Sequence, residues 1–284
     1  MEYIASREFA KACKFRNKTI QSSTPNIDHH LFNELTNGSS IYICNSAIPN
    51  FAKNLDKLLV NIVLVSGDSD NIISLTPDTE QILRCRYITH WFAQNCVVNH
   101  EKITRLPIGL DYHTMASGGN PHWGAKQTEA EQEAELKTLG TGLPFYQRKI
   151  VCYANFHFHL KRGDRLAAYN DIPKDLVHYE PTEIPRVQTF RHQMEYAFVI
   201  SPFGCGLDCH RTWEALILGC IPIIAHSGIN PLFDDLPVLL VNQWSDVTED
   251  LLKRTISEFQ SRKFNLDKLT LRHWIDKFNI LYNL

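Results

Sequence analysis

Between residues 196 and 225 the chain reads YAFVISPFGCGLDCHRTWEALILGCIPIIA. An apolar run ends at Ser201-Pro202 and a turn carrying Gly204 and Gly206 follows. A stretch of helical character then occupies 209–218, and a second apolar run starts at Ile221. Strand, tight connection, helix, strand is the repeating unit of parallel α/β structure, because parallel strands need a crossover that brings the chain back to the same edge. This one segment points to an α/β fold. The alternation continues on both sides of it. Strands are predicted at 41–44, 61–65, 87–92 and 104–108, then at 149–154, 196–200, 221–225 and 237–241. Helices are predicted at 2–15, 50–58, 162–169, 187–195, 209–218, 248–262 and 266–281.

Residues 114–148 interrupt the pattern. Gly118-Gly-Asn-Pro121 is a turn cluster, and 128–139 is an acidic helix candidate with little apolar face, so the segment reads as a solvated connector. That places a boundary near residue 140. The resulting expectation is two Rossmann-like domains, 1–140 and 141–284, facing a central cleft.

Charge and cysteine content narrow the function classes. Twenty-nine basic against 31 acidic side chains leave a formal net charge of −2, so there is no global electrostatic footprint for nucleic acid. None of the 8 cysteines stands in a Cys-x-x-Cys pair, and several sit in apolar runs, which reads as reduced, core-type cysteine. Cys205, Cys209 and His210 are close in sequence but lack the second ligand pair of a structural zinc site. The N-terminus mixes acid and base where a signal peptide has an apolar core. The longest apolar run, 215–225, is far short of the roughly 20 residues of a membrane span. A soluble, cytoplasmic protein without a membrane span is expected.

The chemistry concentrates after the strand at 196–200. Glycines let backbone N–H groups approach a ligand closely, and a helix N-terminus carries partial positive charge, an arrangement that suits phosphate. Asp208 is placed to cap that helix. Arg211 and Glu214 are three residues apart and share a face of its first turns. Arg offers a rigid fork of donors for phosphate, and Glu offers two acceptor oxygens for a vicinal diol such as that of ribose. In an open α/β sheet, the carboxyl end of a strand is where a nucleotide is expected.

Pro202, Gly204, Arg211, Glu214-Ala215-Leu216 and Gly219-Cys-Ile-Pro-Ile223 together resemble the donor-binding module of exostosin-like glycosyltransferases of GT-B architecture. The resemblance covers about a tenth of the chain. It implies that Glu214 holds the ribose of a nucleotide sugar and Arg211 its phosphates, within a loop formed by Ser201, Gly204, Gly206 and Asp208. It also implies that protein groups, rather than a metal, neutralise the leaving diphosphate, and Lys161, Arg162 and Arg165, just past the strand at 149–154, are suitable extra cations. No cofactor or metal is then expected beyond the nucleotide-sugar co-substrate, UDP-linked, with UDP-xylose the first choice. The short chain resembles the soluble enzymes that large DNA viruses of algae use to decorate capsid glycans. That closer resemblance implies an oligosaccharide or glycoprotein acceptor and a place in the host cytoplasm.

An inverting transfer needs a general base near the acceptor hydroxyl. Asp68 and Asp70, just past the strand at 61–65, are the first candidates. His90, Trp91, Asp111 and Tyr112 are expected on the acceptor side, and Trp91, Tyr112 and Trp123 are able to stack on sugar rings. Two other readings stay open. Asp68-Ser-Asp70 is also the Asp-x-Asp pattern by which GT-A glycosyltransferases hold a divalent metal. A non-catalytic module that binds a nucleotide or a sugar would keep Arg211 and Glu214 and need no base.

Overall fold

The strands pair into two wholly parallel sheets, and the Ile/Val/Leu runs of the sequence are the reason most of their residues are buried. The structure, a computed structural model, describes residues 1–28 and 30–282, with the last four of these by their backbone alone.

The N-terminal part begins with α1 (Ser6–Ala12), α2 (Leu31–Glu34), β1 (Ser39–Cys44), α3 (Ile48–Ala52) and β2 (Ile62–Gly67). It continues with α4 (Pro77–Arg84), β3 (Ile88–Gln94) and β4 (Ile103–Leu106). Its sheet runs in the order β1-β2-β3-β4, all parallel. Every residue of β2 is buried. Helix α4 starts at a capping box in which Thr76 accepts from Thr79 N and Thr79 Oγ1 accepts from Thr76 N.

Next come α5 (His113–Ser117), α6 (Glu129–Leu139), β5 (Lys149–Ala154), α7 (Arg165–Asp171), β6 (Val177–Tyr179) and α8 (Arg186–Gln193). β7 (Tyr196–Ile200), α9 (His210–Ile217), β8 (Ile221–Ala225), β9 (Leu239–Val241), α10 (Glu249–Ser261) and α11 (Leu271–Tyr282) complete the chain. The second sheet has the order β6-β5-β7-β8-β9, again all parallel. Within that unit this is the 2-1-3-4-5 order of doubly wound folds. The chain leaves β5 in one direction and returns to β7 on its other side, so the strand order reverses between β5 and β7.

Contacts divide the chain into two units, each with its own core. One holds Glu2–Ile108, Gly206–Asp208 and the chain from Thr270 onward; the other holds Gly109–Cys205 and Cys209–Leu269. The division therefore falls after Ile108 rather than near residue 140. Its physical origin is α6, which is not a solvated connector. Gln132, Glu133 and Leu136 are buried, and Gln132 Nε2 donates to Tyr112 O at 2.8 Å. The last helix, expected in the C-terminal half, belongs to the N-terminal unit. Leu271, Trp274 and Phe278 fall on one face of α11, and Phe278 packs on Phe92 of β3 with ring centroids 4.6 Å apart. A hydrogen bond from Leu271 N to Glu2 O, 2.8 Å long, pins the start of that helix.

All eight cysteines are free, and Cys13, Cys44, Cys96, Cys152 and Cys220 are buried, matching the core-type reading for those five. Among the described residues no helix is long and apolar enough to cross a membrane.

Candidate functional site

In an open parallel sheet, ligands bind beyond the carboxyl ends of the strands at the point where strand order reverses. Here that point lies past Ala154 of β5 and Ile200 of β7. Two loops meet there. Gly163 has φ +56°, and a Cβ on it would run into the backbone carbonyls of Phe203 and Gly204. Glycine is required at this position because the loop after β5 lies backbone to backbone against the loop after β7. Asp164 locks the arrangement: Oδ1 accepts from Phe203 N at 2.6 Å and Oδ2 from Trp244 Nε1 at 2.9 Å. Burial raises the pKa of Asp164 above the ordinary carboxylate value, partly offset by those two donors.

Two arginines sit in this frame. Arg211, on the first turn of α9, donates through Nε to Asn155 Oδ1 at 3.2 Å, while its Nη1 is buried without a hydrogen-bond partner. Arg165, the first residue of α7, likewise has a buried Nε without a partner. Burial, and next the like charge of Arg211, pull the pKa of Arg165 down to about 10, which still leaves it protonated at neutral pH. Buried N–H donors are almost always paired, and clustered guanidinium groups repel. Two guanidinium groups of like charge thus each keep one buried, unpaired donor in this frame. The α9 N-terminus adds to this, since no side chain caps it. Arg162 is exposed.

The remaining donor-side residues have structural partners. Ser201 is buried, its N–H donating to Ile223 O at 2.9 Å and its Oγ lying 2.8 Å from Thr212 Oγ1, so it ties β7 to α9. A Cβ on Gly204 would meet only ordinary contacts, 3.5 Å from Arg165 Nη2 and 3.7 Å from Cys209 Sγ. Gly206 and Asp208 belong with the N-terminal unit. A Cβ on Gly206 would lie 2.9 Å from Asn95 Nδ2. Asp208 is not the helix cap. Its Oδ2 accepts from Ile108 N at 2.7 Å, its N–H donates to Asn95 Oδ1 at 2.9 Å, and the N-cap position is Cys209. One residue of offset is enough to send the carboxylate elsewhere.

Arg211 and Glu214 share the start of α9 but serve different neighbours. Glu214 Oε1 accepts from Arg186 Nη2 at 2.7 Å. Arg186 is 7% exposed and also donates through Nη1 to Asp111 O at 2.6 Å and Gln132 Oε1 at 3.0 Å. Its guanidinium carbon is 5.2 Å from the ring centroids of both Trp123 and Phe190. Beside it is a cavity of about 320 Å³ lined by Tyr112, Met115, Trp123, Leu136, Arg186 and Phe190, among others.

The acceptor-side candidates are divided between the two units. His90 and Trp91 belong to the N-terminal unit, Asp111 and Tyr112 to the other. Trp91 has no exposed surface and donates its indole N–H to Ser66 Oγ at 2.9 Å, so it is a core residue rather than a sugar platform. His90 Nε2 is 2.8 Å from Thr104 Oγ1, and burial lowers its pKa. Asp111 is buried at the start of α5, with Oδ1 accepting from Thr114 N at 2.9 Å and Oδ2 from Thr114 Oγ1 at 2.7 Å. Tyr112 is buried and forms part of the cavity wall.

Asp68 is 5% exposed and adopts φ +48°, at the carboxyl end of β2. Its carboxylate accepts from Arg7 Nε at 3.2 Å and Ser22 Oγ at 2.8 Å, and its N–H donates to Gln94 Oε1 at 2.8 Å. Asp70 is exposed. Among the described residues no three His, Cys, Asp or Glu side chains gather as a metal site.

Asn155 and Arg186 were not legible as site residues. Asn155 is one polar residue after a strand, and Arg186 follows Pro185 at a helix start that sequence periodicity places one residue later. No protein-family model matches the chain, and no curated protein is similar to it.

Proposed function

We propose that the protein is a nucleotide-sugar-dependent glycosyltransferase of the exostosin-like GT-B class, transferring its sugar with inversion to a glycan hydroxyl. The observation that carries this reading is the pair Arg165 and Arg211, each with a buried N–H lacking a partner, at the strand-order reversal of a parallel sheet. In this reading the two guanidinium groups hold the diphosphate and stabilise it as it leaves, without a metal. Glu214 accepts from the ribose hydroxyls through the oxygen that Arg186 does not engage. UDP-xylose is the first donor to try. Of the two candidate bases Asp70 is the one to test first, because it is exposed, whereas the Asp68 carboxylate is already committed to Arg7 and Ser22.

That commitment of Asp68 also favours a second reading, a non-catalytic nucleotide-binding module. One experiment separates the possibilities. Calorimetry with UDP, GDP and CMP sugars is run in EDTA and again with Mn²⁺, followed by a transfer assay on glycan acceptors. The glycosyltransferase reading expects binding that survives EDTA, and at a hundredfold excess over Kd about 2.7 kcal/mol of added stability. Binding that requires Mn²⁺ would transfer the weight to Asp68 and Asp70 and a GT-A type enzyme. Binding without transfer to any acceptor supports the module, and no binding at all sinks both.

A further inference from the structure

We infer that the cavity between α5, α6 and the start of α8 is a binding site for a planar heteroaromatic ring, the base of a nucleotide whose phosphates lie at Arg165 and Arg211. This rests on the reading above and adds the part of the ligand that the anion site does not touch. The argument starts from the walls. Tyr112, Trp123 and Phe190 contribute aromatic side chains, and Met115 and Leu136 contribute apolar surface. A volume of about 320 Å³ is at the small end of the range for ligand pockets, enough for one ring system.

The polar groups argue against a purely apolar occupant. Arg186 is 7% exposed and lines the cavity, and its Nε is a buried donor without a partner. A lipid tail has nothing to offer that donor, whereas a ring carbonyl or ring nitrogen accepts from it. Gln127, Glu135 and Gln188 also line the cavity and bring further donors and acceptors. The guanidinium of Arg186 stands over Trp123 and Phe190 at 5.2 Å, so flat groups are already layered in this wall.

Position supplies the link to the anion site. Arg186 bonds Glu214, and Glu214 is three residues beyond Arg211 on α9, one helical turn along the same face. Phosphate, ribose and base are thereby matched in order by Arg211, Glu214 and the cavity. All of these residues belong to one unit.

The test compares ligands that share phosphates and differ in the base. Pyrophosphate, UDP, ADP, uridine and adenosine are titrated calorimetrically into the full chain, into Trp123→Ala, and into Ala125→Trp, which fills the cavity from its exposed rim. UDP or ADP is expected to bind the native chain at least about tenfold more tightly than pyrophosphate, given what one stacked base contributes. Both variants are expected to lose that preference while pyrophosphate affinity stays within about twofold. A nucleotide that binds no better than pyrophosphate, or a preference that survives in both variants, overturns the base site and leaves the anion site standing. Should pyrophosphate itself not bind, the proposed function fails. The cavity then stands only if uridine or adenosine binds the native chain and is lost in Trp123→Ala, and absence of nucleoside binding overturns it as well.

Discussion

The two units treat charge at their strand ends in opposite ways. Beyond β2, Asp68 is buried and strained at positive φ, yet its carboxylate and its N–H are met by Arg7, Ser22 and Gln94. Beyond β5 and β7, Arg165 and Arg211 are half-buried beside one another, and each retains a buried N–H with no partner. Both arrangements carry a desolvation cost, but only the first is offset from within the chain. A charge network that is complete in itself describes a structural clamp, and in the function proposed above the incomplete one is completed by a ligand. The position of a residue in a strand-end loop does not distinguish the two. Counting partners does.

Arg186 gives the sharpest way to break this contrast, because in the same unit as Arg165 and Arg211 it is a cation whose two Nη groups both meet acceptors, Asp111 O, Gln132 Oε1 and Glu214 Oε1, with only its Nε unpaired. Arg186→Met leaves Glu214 and Gln132 without their donor and is expected to cost about 3–5 kcal/mol of stability, the usual range for breaking a buried pair. Urea denaturation measures it, and a loss under about 1 kcal/mol would show that the pair contributes little. Next in size is a matched comparison. Arg7→Met strands the Asp68 carboxylate and is expected to destabilise by about 1–3 kcal/mol. Arg165→Met removes a repelling charge, so its stability is expected to be unchanged or raised, while pyrophosphate binding weakens about ten- to a hundredfold. Equal destabilisation by the two substitutions would erase the distinction between clamp and ligand site.

How much of this was legible in the sequence follows from what each inference rested on. Strands 149–154, 196–200 and 221–225 match β5, β7 and β8 residue for residue, because continuous apolar runs between turns admit little else. β6 was missed. It is a three-residue edge strand, Val-His-Tyr, with only Val177 buried, too short to carry a period. It is also what produces the 2-1-3-4-5 order, so the sequence pointed to the loop after residue 200, but the reversal of strand order there had to come from the structure. Arg211 and Glu214 were readable from their spacing, but their partners Asn155 and Arg186 were not, since those contacts span 56 and 28 residues. The domain boundary was misplaced for a related reason. Helix α6 is held partly by a polar core contact, Gln132 to Arg186, which a search for apolar faces does not detect. Its capping box, Thr128 with Glu131, was the local sign of a genuine helix start.

The smallest expected effect concerns Asp111, and it tests whether the C-terminal unit can also complete a network when no ligand is involved. Burial alone would raise its pKa, but His210, His113 and the two donors of Thr114 outweigh this and hold it below the ordinary aspartate value of 3.8. His113 Nδ1 lies 3.1 Å from Asp111 Oδ1, and His210 Nδ1 is 2.7 Å from Gly109 O, which as an acceptor assigns the proton to that nitrogen. Folded Asp111 thus binds a proton more weakly than the unfolded chain does. The stability it contributes is complete above the unfolded pKa and is lost as pH falls through the folded value. Asp111→Asn keeps the amide oxygen for Thr114 but removes the charge. It is expected to cost about 1 kcal/mol near neutral pH and to flatten the acid limb of a stability–pH curve. An acid limb identical to that of the native chain would place the acid sensitivity at other carboxylates and make Asp111 only a turn residue, bonded to Thr114 and nothing more.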